Sequence, residues 1–157
     1  MIDVNIKHIS NLFFALHDEV ISYYLSSDEY NGYYNSDLKN YSDFQKWFPI
    51  VFRADEMEYV DYSDMANPYF KLLKNSLKFL ILSRKTIEND IYLSGIDNIE
   101  NSELFWNEYY IFLIRVYQYL FKEQFVYEDI SKFKERIDKE FVENPSCPEL
   151  WKEPIYK

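Results

Sequence analysis

Residues Leu104–Val126 read LFWNEYYIFLIRVYQYLFKEQFV, and the distribution of polar groups in this stretch decides the fold class. At 100° per residue, Asn107, Glu108, Arg115, Gln118 and Lys122 fall within about 100° of one another, with Ile111 among them. Leu, Ile, Val, Phe, Tyr and Trp occupy the rest of the circumference. A helix apolar over most of its surface needs neighbours on several sides, which predicts the central post of a bundle. A membrane span is not implied: the longest unbroken apolar run, Tyr109–Ile114, is six residues, against the ~20 that a bilayer requires.

Working outward, Ser102 is a natural N-cap for this helix and Glu103 complements its dipole. Upstream, Asn67 followed by Pro68 marks a second helix start. Tyr69, Leu73, Leu77, Leu80, Ile87 and Ile91 continue at helical spacing to Gly95, a C-terminal stop. Lys71, Lys74, Lys78 and Lys85 share one face of that helix, expected to lie in water. Ile6, Ile9, Phe13, Leu16, Val20 and Tyr23 predict a first helix over about 5–26, capped by Asp3 or Asn5. SSDEYNGYYNSD (26–37) mixes turn formers around Gly32 and is expected to be a loop. A short helix beginning near Ser36 or Ser42 should end at Phe48, because Pro49 follows. Residues 50–66 have no clear period. A last helix is expected over about 129–143, with Ile130, Phe133, Ile137 and Phe141 inward, ending at Asn144–Pro145. Residues 145–157 would then form an extended tail pinned by Trp151. The expected architecture is all-α, a single-domain bundle (1–157) of about five helices around 103–126.

Composition supports this class. The 157 residues hold only two Gly and five Pro, too few for the tight turns of an all-β design. Sixteen Tyr are more than a core of this size can hold with every hydroxyl satisfied, so several should reach the surface. Charge is lopsided, with 27 acids against 17 bases overall. Residues 1–66 carry 12 acids and 4 bases, whereas 67–157 carry 15 and 13. Such acidity disfavours direct contact with nucleic acid or anionic membrane and suits a basic protein partner.

Groups that carry chemistry are scarce. His8 and His17 point about 180° apart on one predicted helix, so no single metal takes both. Cys147 is the lone cysteine, which excludes an internal disulfide and a cysteine zinc site. Gly32 and Gly95 are too far apart for a phosphate loop or a dinucleotide fingerprint. No metal or cofactor is implied, and no catalytic residues are assigned. The N-terminal residues lack the pattern of a signal peptide, and a cytoplasmic location is expected.

Acids and tyrosines concentrate in one region. Asp55, Glu56, Glu58, Asp61 and Asp64 interleave with Tyr59 and Tyr62, without the glycine or spacing of a calcium loop. The 26–37 segment repeats the flavour with Asp28, Glu29, Tyr30, Tyr33, Tyr34 and Asp37. Between 27 and 66 there are nine acids, three bases and six Tyr. A solvated acidic loop is the bland reading. A docking surface is the sharper one, since Tyr supplies contact energy and carboxylates supply steering.

In general character the chain resembles immunity proteins of bacterial toxin systems, such as those partnering contact-dependent growth inhibition toxins. The resemblance rests on small size, acidity, Tyr content and the absence of catalytic groups. It implies a protein that neutralises a cognate basic toxin domain, often a nuclease, by occupying its active site. The 27–66 segment would be the docking face. Two alternatives remain open: a phage-encoded nucleic-acid mimic that inhibits a host defence nuclease, and a small-ligand binder or enzyme with an aromatic pocket near Trp106 and Tyr109. Oligomeric state is not legible in the sequence.

Overall fold

The computed structural model describes residues 1–6, 9, 25–38, 40–53, 61–83, 103–137 and 155–156. Among them are four helices and two short strands: β1 (Ile2–Val4), α1 (Ser27–Tyr34), α2 (Tyr41–Arg53), α3 (Pro68–Ser83), α4 (Glu103–Phe121) and β2 (Phe133–Glu135). The chain is therefore mostly helical rather than all-α. The expected first helix with His8 and His17, the 84–95 continuation to Gly95, the capping Ser102, and the 138–154 region lie outside the described residues, as do the side chains of Trp106 and Tyr109.

Chain contacts define two compact units. One comprises Met1–Ile9, Asp61–Ile91 and Leu113–Lys157; the other comprises Ser10–Val60 and Tyr92–Phe112.

In the first unit, β1 and β2 form a parallel pair with Ile2 opposite Phe133, Asp3 opposite Lys134 and Val4 opposite Glu135. Arg136 N–H extends the ladder to the Val4 carbonyl (2.7 Å). Residues 155–156 then return antiparallel, with Ile137 N–H donating to the Ile155 carbonyl at 2.6 Å. This sheet overturns the helix expected from residue 129. Asp129 does cap a turn, but only a single 3₁₀ turn over Ile130–Lys132, after which Phe133 is extended. Phe133 is buried against Phe79 (centroids 5.8 Å apart), whereas Ile130 and Ile137 are exposed. The spacing that suggested one helical face therefore belongs to a turn followed by a strand.

α3 starts where the sequence places it. The Asn67 side chain accepts from Tyr69 N–H at 2.9 Å and Pro68 occupies the first helical position. One face packs on β1, with Leu73, Leu77, Leu80 and Val4 buried. Between them, Ser76 Oγ accepts from Asn5 N–H (2.7 Å) and donates to the Leu72 carbonyl (2.6 Å). Asn5 is thus buried beside the sheet.

α4 ends at Phe121, earlier than Val126, because Lys122 adopts a left-handed conformation (φ 54°) that terminates the helix. From Leu113 onward the helix contributes buried Leu113, Val116, Tyr117, Leu120 and Phe121 to this unit. The residues beyond it fold back towards α3. Glu123 lies 2.8 Å from Lys74 and Glu128 lies 3.4 Å from Lys78, while the Tyr117 hydroxyl donates to Glu123. Lys74 and Lys78 are therefore half-buried structural cations and not a wet face; Lys85 lies outside the described residues.

In the second unit the 26–37 segment forms α1 instead of a loop. Ser26 and Glu29 make a reciprocal capping box, satisfying two N-terminal N–H groups. Gly32 sits inside this helix because the Trp47 ring of α2 lies where its Cβ would be. α2 begins after Asn40, whose side chain accepts from Ser42 N–H (3.0 Å) and Asp43 N–H (3.2 Å). It runs through Pro49 to Arg53 rather than stopping at Phe48. Proline forfeits one backbone bond there, while Phe44 and Phe48 stack at 4.7 Å and both meet Phe112 edge-on at 6.1 Å. That aromatic cluster anchors the turns preceding the proline.

Candidate docking surface

The helical period separates the tyrosines of α1 by role. Tyr30 and Tyr34 are four residues apart on one stripe, and their rings stack at 6.0 Å. Tyr34 is 52% exposed and Tyr30 is half-buried, whereas Tyr33, turned about 100° from Tyr34 around the helix, is 4% exposed and belongs to the core. Asp28 and Glu29 in the first turn face water, where negative charge is favoured by the helix dipole. Glu29 is partly engaged, since it accepts from Ser26 N–H at 3.2 Å.

Beyond α1, Asp37 is exposed and its N–H donates to the Asp43 carboxylate at 3.0 Å, which fixes the connection into α2. Tyr41, the first residue of α2, is 58% exposed. Lys46 lies over the Trp47 ring at 5.0 Å. The described surface of this unit thus presents Asp28, Asp37, Tyr34 and Tyr41, with Tyr30 supporting Tyr34 from behind. Tyr41 is not among the candidates that the sequence singles out. The signal was present in Asn40 and Asp43, which identify 41 as the first helical position, where a side chain often projects to solvent.

The remaining candidates belong to the other unit or fall outside the described residues. Asp61 Oδ1 accepts from Ser63 Oγ (2.6 Å) and Ser63 N–H (3.0 Å), and these bonds, led by the hydroxyl, hold its carboxyl below the ordinary aspartate value. Asp64 accepts from Ala66 N–H at 3.1 Å. Both are exposed turn formers ahead of α3. Tyr62 is only 7% exposed and packs on Phe70, with centroids 5.1 Å apart. Its ring is core and offers no contact area. Asp55, Glu56, Glu58 and Tyr59 lie outside the described residues.

Among the described residues no three His, Cys, Asp or Glu side chains gather into a metal-binding group. No described helix is long and apolar enough to cross a membrane. Comparison with protein-family models, curated proteins and solved structures finds no match to this chain.

Proposed function

We propose that this protein is an acidic inhibitor of the immunity type, which binds a basic toxin domain and blocks its active site. The observation that supports this reading is the exposure of Asp28 and Tyr34 on α1, Asp37 in the connection and Tyr41 at the start of α2. Large apolar rings ending in a polar group are frequent hot spots, and flanking carboxylates steer a cationic partner. A nuclease cleft is cationic because it must attract phosphate, so the same charge that excludes nucleic acid from this surface favours such a cleft. Asp55, Glu56, Glu58 and Tyr59 follow α2 in the chain and extend the acidic stretch on sequence grounds.

The test is affinity capture from the native host with the tagged chain, washed at low and then at high salt. Recovery of one basic protein that is released by salt, and whose capture is lost in Asp28→Lys together with Tyr34→Ala, is the expected result. Capture that is unchanged by these substitutions, or no captured protein at all, overturns the reading. Competition by duplex or single-stranded DNA for the captured target would favour the nucleic-acid mimic instead.

A further inference from the structure

α1 contains Asn31–Gly32, the only Asn-Gly pair in the chain. Asparagine before glycine is the pair most prone to lose its side-chain amide, because no Cβ on the following residue hinders attack by that residue's backbone nitrogen. Asn31 is exposed. The reaction requires the Gly32 nitrogen to release its proton and swing onto the Asn31 side-chain carbonyl carbon.

The folded helix blocks both movements. Within α1 the Gly32 N–H is directed at the carbonyl of Asp28, one helical turn earlier. The Asn31 carbonyl fixes the plane of the peptide that joins the two residues, and it accepts from Asn35 N–H at 3.1 Å and Asn35 Nδ2 at 2.8 Å. The Trp47 ring of α2 fills the space beside Gly32 and holds that peptide against rotation. These restraints last only as long as α1 does. It has eight residues, of which Tyr33 alone is buried, and is shorter than a helix that persists by itself. Gly32 in its interior weakens it further. Its folded state depends on the Ser26–Glu29 capping box and on packing against α2, and such elements open locally before a whole domain unfolds.

We propose that Asn31 is a self-modification site timed by the opening of α1. In the open state the Gly32 nitrogen bonds to Asn31 Cγ, the Cγ–Nδ2 bond breaks, and ammonia leaves with the proton of the attacking nitrogen. Water then opens the cyclic imide. Cleavage of the new bond at Cγ gives aspartate. Cleavage at the main-chain carbonyl gives isoaspartate, whose backbone runs through the former side chain and is one methylene longer. One water is consumed, one ammonia is released, and no oxidant or reductant is involved. Aspartate adds a carboxylate at position 31, three residues from Asp28 and three from Tyr34 on the same stripe. Isoaspartate interrupts the helix ahead of Tyr34. On the docking function proposed above, on which this consequence alone rests, the isoaspartyl chain loses the Tyr34 contact.

The full chain, folded or unfolded in guanidinium chloride, is incubated in mildly alkaline buffer and digested for peptide mass spectrometry with isoaspartate detection. Conversion at Asn31 ahead of the other asparagines is expected, at least about tenfold slower in the folded chain. Ser26→Ala removes the capping hydroxyl and should speed the folded-state reaction about fivefold, leaving the rate in guanidinium unchanged. Equal rates in the folded and unfolded chains, a folded rate unaltered by Ser26→Ala, or no conversion in folded Ser26→Ala would overturn the proposal. None of these readings needs a partner, so they are separate from the docking function. For the consequence, the aged parent should lose target capture while Asn31→Gln, aged alike, keeps it; equal capture by both would refute it.

Discussion

The Glu123 carboxylate lies 2.8 Å from the Lys74 ammonium, tying the segment after α4 to the middle of α3. The same carboxylate accepts the Tyr117 hydroxyl, so one acid holds both a helix lysine and a core tyrosine. Burial on its own would raise the Glu123 carboxyl. The hydrogen bonds from Lys74 and Tyr117 and the charges of Lys74 and Lys78 outweigh it and hold the group below its ordinary value of 4.5. A carboxylate with a lowered folded value stabilises the fold above its unfolded value, and that contribution fades as pH falls through the folded value. Glu123→Gln should therefore cost about 0.5–1 kcal/mol at pH 7, a modest figure because the pair is partly solvated. The difference from the parent should begin to shrink near pH 4.5 and disappear once the pH is below the folded value. Urea unfolding at both pH values reads this directly, and an equal loss at acid pH would refute it.

Lys122 terminates α4 at φ 54°, a conformation that costs an L side chain about 1 kcal/mol and glycine nothing. Its ammonium lies 3.9 Å from Asp61, with both side chains largely in water, so the pair contributes little. Lys122→Gly should raise the unfolding free energy by about 0.5–1 kcal/mol. A lower melting temperature in that variant would show that the Asp61 contact outweighs the backbone relief.

The sequence was most legible where a local signal and the packing agree. Asn67–Pro68 starts α3 because cap chemistry needs no distant partner. The apolar circumference of 104–121 marked α4 for the same reason: burial on several sides requires it. Long-range pairing was invisible. β1 and β2 are three residues each and come from opposite ends of the chain, so neither shows an alternation that could compete with helical spacing. α1 is hard to read for a different reason. Ser26 and Glu29 form a capping box, but the turn formers around Gly32 suggest a loop, and only the packing of Trp47 over Gly32 explains a glycine inside the helix. Tyrosine burial was the least legible property of all. Tyr33 and Tyr34 are adjacent and chemically identical, and only the orientation of α1 sends one inward and the other to solvent.

Gly32 offers a sharp test of that helix. In an isolated helix, Gly→Ala gains up to about 1 kcal/mol. Here the new methyl would overlap the six-membered ring of Trp47, and overpacking of this kind costs about 1–3 kcal/mol. Gly32→Ala should therefore lower stability by about 1 kcal/mol. Combining it with Trp47→Leu should restore the helix-propensity gain, so the double variant should be no less stable than Trp47→Leu alone. Independent, additive losses in the two single variants would place the ring elsewhere.

Tyr62 and Tyr34 both sit among acids in the sequence, yet their truncations should have opposite consequences. Tyr62 is packed on Phe70 and is almost fully buried; removing a buried aromatic ring leaves a cavity and costs about 3 kcal/mol or more. Tyr34 presents half its surface to water and loses only a stacking contact with Tyr30, so Tyr34→Ala should change stability by no more than about 0.5 kcal/mol. Denaturant unfolding of the two variants separates these cases without any partner. Against a captured toxin domain the order should reverse. Tyr34→Ala should cost about 2 kcal/mol of binding free energy if it is a hot spot, whereas Tyr62→Ala, assayed well below its unfolding temperature, should bind with affinity close to the parent's. A strong binding defect in Tyr62→Ala with stability intact would mean that the ring turns outward when the partner docks, and the docking face would then have to be redrawn around Asp61 and Asp64.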